Sequence, residues 1–145
     1  MNIADILRWK ASTSTADIIT IAPSDSVTAL LHTLAEHDVG ALIVVEGSEV
    51  IGVVSERDVV RKIAERGAAV LEQNVDQIMT TSLVTCTSAD SIDSIAESMT
   101  QRRVRHMPVM DGGRLIGIVS IGDVVSHRMR QLEKDRGQLE HYISG

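Results

Sequence analysis

A direct repeat with an offset of 65 residues constrains this chain more than any other feature. Residues 52–58 read GVVSERD and residues 117–123 read GIVSIGD, so a glycine, a valine, a serine and an aspartate return at the same spacing. Without a gap, residues 20–60 align on residues 85–125, and apolar positions meet apolar positions between the identities. Agreement of this length indicates a duplicated structural unit.

Each copy has the pattern of a β-α-β-β-α unit. A short apolar stretch is followed by Ser and Asp residues, which predict the N-cap of an amphipathic helix. Two β-branched runs around a short polar turn then predict a hairpin, and a second helix follows from Asp58 or Asp123. The predicted strands are residues 18–21, 41–45 and 50–54, and residues 83–86, 107–110 and 115–119. We therefore expect a mixed α/β fold whose two repeats pack sheet to sheet in pseudo-two-fold symmetry.

The repeat also divides the chain. We expect residues 1–74 to hold the first repeat with an N-terminal helix and a connector, and residues 75–128 to hold the second. Residues 3–7 and 75–79 have the pattern of equivalent lead-in helices, and polar residues 10–17 predict a loop insert in the first copy. Residues 129–145 predict a C-terminal helix.

Composition excludes several classes of function. The formal net charge of −6 argues against nucleic acid as a main partner, because phosphate backbones need a basic footprint. No apolar run has the length of a membrane span or of a signal peptide. Cys86 is the one cysteine and cannot form an internal disulfide. We expect a cytoplasmic protein.

The duplicated Ser-x-x-Asp sequence at the end of a strand is the candidate binding chemistry. Backbone N–H groups at the mouth of a helix favour phosphate, and Ser55 or Ser120 can add a hydrogen bond. Asp58 or Asp123 can accept the hydroxyls of a ribose through charge-assisted bonds. The alternative is that both serines are helix N-caps and both aspartates merely favour the first helical turn.

These pieces together resemble the cystathionine β-synthase (CBS) domain, and the pair resembles a Bateman module. The resemblance is carried by Thr20 with residues 25–27, by residues 39–45 and 52–58, and by their partners in the second copy, including residues 105–109 (RHMPV). It extends over roughly residues 3–128. It implies two clefts between the repeats that bind adenosine-containing ligands such as AMP, ATP, NAD(H) or S-adenosylmethionine.

The resemblance implies a role for each matching residue. The two aspartates would hold ribose hydroxyls, the two serines would contact phosphate, and the remaining residues would border the base or the phosphate. The candidate ligand-binding residues are Thr20, Ile21, Gly40, Ala41, Ser55, Arg57 and Asp58 in the first copy, and Thr85, Cys86, Arg105, His106, Met107, Pro108, Ser120, Gly122 and Asp123 in the second.

The two copies differ inside this set, which predicts two chemically distinct sites. Arg57 stands where the second copy has Gly122, and the family's His-x-Pro pattern is kept at residues 106–108 but not at Leu42 and Ile43. Arg105 and His106 directly precede a strand and are expected to face a ligand. Anionic ligands should be preferred where arginines converge.

No set of catalytic residues is visible, so we do not expect an enzyme. The sequence has no P-loop, no Gly-x-Gly-x-x-Gly and no nucleophile elbow, and no pattern of His and Cys completes a zinc site. Cys86 has apolar and hydroxyl neighbours, which favours a buried, inert thiol.

The C-terminal residues Val125, Met129, Leu132, Leu139 and Ile143 form a short heptad-like seam. This seam indicates either a helix packed on its own domain or one that reaches a second chain, and we expect a homodimer.

The leading hypothesis is a regulatory module that binds an adenine nucleotide and acts on an unidentified protein partner or on its own dimer. Two alternatives remain: a regulatory piece of an enzyme such as inosine monophosphate dehydrogenase, or a structural dimerisation module with empty clefts.

Overall fold

The computed structural model describes residues 1–13 and 18–144. In this part of the chain the elements are, in order, α1 (Ile3–Thr13), β1 (Thr20–Ile21), α2 (Val27–His37), β2 (Ala41–Glu46), β3 (Glu49–Ser55), α3 (Glu56–Arg66), α4 (Ile92–Arg102), β4 (His106–Asp111), β5 (Arg114–Ser120) and α5 (Ile121–Ser144). Two 3₁₀ helices, Ala68–Glu72 and Val75–Gln77, connect α3 to the second copy. This order confirms the mixed α/β class with two repeats.

Both predicted hairpins form, with the same register. Strands β2 and β3 are antiparallel with Ala41 opposite Ser55, and β4 and β5 are antiparallel with His106 opposite Ser120. Each ladder shifts at an equivalent point, after Val44 and after Val109. The register places the start of one strand beside the Ser-x-x-Asp sequence that ends its partner.

The helices after the first strands are capped as the sequence predicts. Ser26 accepts a hydrogen bond from Ala29 N at 3.0 Å, and Ser91 accepts one from Ser94 N at 3.1 Å. The apolar faces of the two helices are buried at equivalent positions, which are Val27, Leu30 and Leu34 in α2 and Ile92, Ile95 and Met99 in α4. Each face therefore contributes to a core of branched aliphatic side chains.

The predicted first strands are shorter than expected, and the second does not form as a strand. β1 covers only Thr20–Ile21 and pairs in parallel with β2, whereas residues 83–86 contribute a single bridge between Cys86 and Val109. The prediction of strand 83–86 was therefore wrong. Pro108 explains the difference, because it has no N–H to donate to the residues before Cys86. The sheet of the second copy consequently has two strands, β4 and β5.

Contacts group the chain into a contiguous unit, Thr15–Thr85, and a discontinuous unit, Met1–Ser14 with Cys86–Gly145. Helix α1 belongs to the second copy: Ile3 N donates to Asp90 O at 3.0 Å. Residues 75–80 belong to the first copy, since Thr80 N donates to Val53 O at 2.9 Å. The division at residues 74 and 128 stays a prediction about the sequence repeat, and packing follows a different division.

Two local expectations need correction. Residues 10–13 of the predicted loop insert are the last turn of α1, and the rest of that insert, residues 14–17, lies outside the described residues. The predicted lead-in helix over residues 75–79 is only a 3₁₀ turn at Val75–Gln77. The C-terminal helix is the continuation of α5, which runs from Ile121 to Ser144 and is not interrupted at Gly137.

Candidate functional site

The first Ser-x-x-Asp sequence lies where β3 ends and α3 begins. Ser55 is the N-cap of α3, and its Oγ accepts a hydrogen bond from Asp58 N at 3.3 Å. The Asp58 carboxylate returns to the cap, where its Oδ2 accepts from Ser55 N at 2.8 Å and from Ser55 Oγ at 3.0 Å. This reciprocal arrangement is a capping box, as the N-cap alternative predicts.

The neighbours of this junction come from the start of β2. Gly40 O accepts a hydrogen bond from Glu56 N at 3.0 Å, and Ala41 lies opposite Ser55. Arg57 is exposed in the first turn of α3. The structure thus brings Gly40, Ala41, Ser55 and Asp58 together at one end of the hairpin.

The first strand places its two candidate residues differently. Thr20 is exposed, whereas the side chain of Ile21 is buried, with Ile21 beside Val44 in the parallel ladder. Thr20 can therefore offer a side chain to a ligand, and Ile21 can offer only its backbone.

The second Ser-x-x-Asp sequence lies where β5 ends and α5 begins. Ser120 Oγ accepts from Asp123 N at 3.1 Å, and Asp123 Oδ2 accepts from Ser120 N at 2.9 Å. A second donor reaches the same oxygen: Lys10 Nζ in α1 lies 2.9 Å from Asp123 Oδ2 and 2.8 Å from the Ile118 carbonyl oxygen. The role of Lys10 could not be predicted from the sequence, because no local pattern links this lysine to a motif more than a hundred residues away.

The neighbours of the second junction repeat those of the first. Arg105 O accepts a hydrogen bond from Ile121 N at 2.8 Å, and His106 lies half-buried opposite Ser120. Arg105 and Gly122 are exposed. The structure therefore brings Arg105, His106, Ser120 and Asp123 together, at positions equivalent to those of the first copy.

Three candidate residues of the second copy have buried side chains. Met107 is fully buried, Pro108 is buried, and Cys86 is buried with its backbone N donating to Pro108 O at 3.1 Å. Burial is the main cause that raises the pKa of the Cys86 thiol to about 11, and the carboxylates of Asp90 and Asp111 raise it further. These side chains belong to the core, so only their backbone groups could contact a ligand. The neighbouring residue Thr85 is exposed.

Each capping box leaves one carboxylate oxygen for other chemistry. Among the described residues, Oδ1 of Asp58 and Oδ1 of Asp123 have no hydrogen-bond partner, so each can accept a hydroxyl. The serine hydroxyls differ. Ser55 donates to Asp58, whereas the hydroxyl of Ser120 has no acceptor within residues 1–13 and 18–144. The two junctions thus have equivalent backbone arrangements, but different polar groups are already hydrogen-bonded within the protein.

Comparison with known proteins settles the family. The family model described as "CBS domain" matches residues 3–65 and again residues 75–130. These two segments contain both Ser-x-x-Asp junctions. The chain belongs to the CBS domain family. Its two matched segments correspond to the two copies of the 65-residue repeat.

Relatives of this CBS chain are similar over most of its length. The crystal structure of the CBS-domain containing protein ATU1752 from Agrobacterium tumefaciens is 40% identical, with a TM-score of 0.82, and the match covers 88% of this chain and 99% of that one. The CBS domain-containing protein CBSX3, mitochondrial, from Arabidopsis thaliana is 32% identical over 99% of this chain and 72% of its own length. That relative is named as mitochondrial, and the cytoplasmic location expected for this chain stays a prediction.

A third similarity concerns the fold alone. The CBS domain pair of protein MJ0100, solved in complex with 5′-methylthioadenosine and S-adenosyl-L-methionine, has a TM-score of 0.74 and 19% identity, covering 90% of this chain and 98% of that one.

The described residues of the present chain contain no group of three His, Cys, Asp or Glu side chains placed to hold a metal ion. Within the same residues, no helix has the length and apolar character to cross a bilayer.

Proposed function

We propose that this CBS pair is a regulatory module that binds an adenine nucleotide, AMP, ATP or NAD(H), at its Ser-x-x-Asp junctions. The observation that carries the proposal is the repeated junction itself. Each copy holds a half-buried aspartate whose Oδ1 has no partner among the described residues, at the N-terminus of a helix and beside the start of an antiparallel strand. A carboxylate held in this way is suited to a ribose hydroxyl, and the helix N-terminus beside it is suited to phosphate.

The first junction has the residues for a complete contact. Asp58 Oδ1 would accept a ribose hydroxyl, Arg57 would pair with phosphate, and Thr20 would contact the base side. The binding of adenosine compounds by the MJ0100 pair supports the ligand class, since that protein shares this fold. The identity of the nucleotide remains part of the proposal.

Regulation follows from binding rather than from catalysis. A nucleotide that binds one conformation of the protein more tightly shifts the population toward that conformation. We infer that this chain acts on a partner or on its own assembly in this way and is not itself an enzyme. A regulatory piece of a larger enzyme would bind the same ligands, so that alternative differs only in its partner.

Isothermal titration with AMP tests the proposal. Asp58→Ala and Asp123→Ala should each lower affinity or stoichiometry. Asp25→Ala and Asp90→Ala are matched controls, because each aspartate accepts a backbone N–H three residues earlier, from Ala22 at 3.0 Å and from Thr87 at 2.9 Å, and these bonds involve no residue of a Ser-x-x-Asp sequence. The controls should bind like the unmodified protein. Unchanged binding in both junction variants would reject the assignment.

A thermal shift assay separates the regulatory module from a structural one with unused junctions. A ligand present at about 100 times its dissociation constant adds about 2.7 kcal/mol to the free energy of unfolding. AMP, ATP, NAD⁺ and NADH should therefore include at least one compound that raises the melting temperature. If none does so at millimolar concentration, the structural alternative is favoured.

We propose self-association through α5 as the second part of this function. The exposed fractions of Val125, Met129, Leu132 and Leu139 are 50–66%, and they lie at coiled-coil-like spacings on one helix. Truncation after Met129, or Leu132→Glu, should convert a dimer to a monomer in light scattering. Gln138→Glu adds the same charge at an exposed polar position of the helix and should leave the mass unchanged. A dimer that survives truncation would contradict this role.

A further inference from the structure

The two capping boxes differ in the second donor to the aspartate. Asp58 Oδ2 accepts hydrogen bonds from Ser55 N and from the Ser55 hydroxyl. Asp123 Oδ2 accepts them from Ser120 N and from the ammonium of Lys10. The same ammonium also lies 2.8 Å from Ile118 O. Its side chain and that of Asp123 are 35% and 23% exposed. The pair therefore lies at the edge of the junction, where a ligand approaching Asp123 would meet it.

The first copy has no equivalent of this lysine. Leu7 and Met79 occupy equivalent positions of the two lead-in segments, each against the glycine that precedes its Ser-x-x-Asp sequence. Counting three residues onward from this pair, the position of Lys10 corresponds to Ser82, which is exposed and uncharged. The lysine is thus a specific property of the second junction.

Lys10 changes what the second junction can recognise. The ammonium binds Oδ2 and offsets the charge of the Asp123 carboxylate, so a ribose hydroxyl at the open Oδ1 would meet a weaker acceptor than at Asp58. The Ser120 hydroxyl is left without an acceptor in the described part of the chain, so it can donate to a phosphate oxygen. Because the ion pair offsets the negative charge of Asp123, the N-terminus of α5 repels an anion less than it would beside an unpaired carboxylate.

We propose that Lys10 determines the ligand preference of the second junction, making it selective for the phosphate of a nucleotide over an uncharged nucleoside. This inference rests on the proposed nucleotide binding. It adds that the two junctions discriminate differently, and that α1 supplies the residue responsible. The ligand class at the second junction is a nucleoside phosphate, bound mainly through its phosphate group.

The test compares AMP with adenosine, which carries the same ribose and base without the phosphate. Measurements are made in the Asp58→Ala background, so that only the second junction reports. Lys10→Met should lower the ratio of the adenosine to the AMP dissociation constant by about three- to fivefold, the upper part of the range for a partly exposed ion pair. Lys10→Arg should keep the ratio high. A ratio that is unchanged or rises in Lys10→Met would overturn the proposal.

Arg8→Met is the matched control for charge. Arg8 lies on the same helix and pairs with Asp5, so its removal takes the same charge from α1 without touching Asp123. The ratio should stay within about twofold of the unmodified value. An equal effect of both substitutions would assign the preference to the overall charge of α1 and would overturn the role of Lys10.

The contact itself is tested without nucleotide. In ¹⁵N-labelled protein, the ammonium signal of Lys10 should be protected from exchange and should disappear in Asp123→Ala but not in Asp58→Ala. Added AMP should shift that signal. If the unmodified protein binds neither AMP nor adenosine, the proposed function fails and the specificity inference with it. If AMP binding persists but is lost entirely in Asp58→Ala, the function stands and only the inference on the second junction is rejected.

Discussion

Gly52 lies so close to Thr80 that a Cβ atom at position 52 would stand 3.0 Å from the Thr80 carbonyl oxygen and 2.8 Å from Met79 Sδ. The equivalent Gly117 would bring a Cβ atom to 2.8 Å from Leu7 Cδ2. Each glycine thus lets a lead-in segment pack directly on the strand that ends in the Ser-x-x-Asp junction. The two contacts differ in stiffness, since one neighbour is backbone and the other is the tip of a side chain.

This difference predicts unequal costs for the same substitution. Gly52→Ala should lower the free energy of unfolding by about 1–3 kcal/mol, because backbone must move. Gly117→Ala should cost less than about 1 kcal/mol, because Leu7 can change rotamer. Gly137→Ala, in the open interior of α5, should instead stabilise by about 1 kcal/mol. Urea unfolding curves of the three variants measure the order, and equal losses at positions 52 and 117 would contradict it.

The C-terminus of α4 predicts a stabilising change. Arg103 is the C-cap in the left-handed region, at φ 55° and ψ 36°, where a side chain crowds the following carbonyl. Arg103→Gly should therefore raise the free energy of unfolding by about 1 kcal/mol. Arg102→Gly, one residue earlier and inside the helix, should lower it by about 1 kcal/mol. Thermal unfolding compares the pair, and a loss of stability in Arg103→Gly would reject the argument.

The two serine caps give a third prediction. Ser55→Ala removes an acceptor for Asp58 N and a donor to Asp58 Oδ2, whereas Ser120→Ala removes only an acceptor for Asp123 N. Both should destabilise by about 0.5–2 kcal/mol, with the larger loss at Ser55. Chemical denaturation is the measurement. A larger loss at Ser120 would show that Lys10 does not replace the serine hydroxyl as the second donor.

Cys86 predicts slow thiol chemistry with a defined pH dependence. Because its pKa is raised from 9.0 to about 11, the folded protein should hold about 100-fold less thiolate at pH 8 than an ordinary cysteine. Labelling with Ellman's reagent should be at least that much slower in native protein than in urea. The unfolded thiol ionises first, so stability should fall as the pH rises from 9 to about 11. Cys86→Ala should reduce this fall.

The hairpins and caps could be predicted from sequence because their determinants are local. Continuous runs rich in β-branched residues on both sides of a glycine-containing turn define β2 and β3, and a serine before an apolar periodic segment defines α2 and α4. The missing strand before α4 depends on Pro108, whose lost N–H matters only once the neighbouring strand is known. The N-cap role of Ser55 and Ser120 was also foreseen, as the alternative to ligand binding.

Two features could not be predicted in this way. One is that each lead-in segment packs on the copy it does not directly precede, and the other is the Lys10–Asp123 pair. The repeat shows that residues 3–7 and 75–79 are equivalent, but equivalence does not say on which copy each one packs. That choice depends on contacts such as Leu7 with Gly117, which form between distant parts of the chain. Lys10 follows from the same choice, because α1 reaches Asp123 only when it packs on the second copy.

In the sequence, the contiguous unit lies between the two segments of the discontinuous unit. This order has a consequence for folding on the ribosome. The contiguous unit, Thr15–Thr85, is one uninterrupted stretch of chain and can fold as soon as it has emerged. Helix α1 is made before this unit but finds its partners only afterwards, because they lie beyond Cys86. Until then the side chains of Ile3 and Ile6, fully buried in the finished protein, face water. Helix α1 is thus synthesised before the contiguous unit and placed after it, and it brings Lys10 to Asp123 as it packs on the second copy.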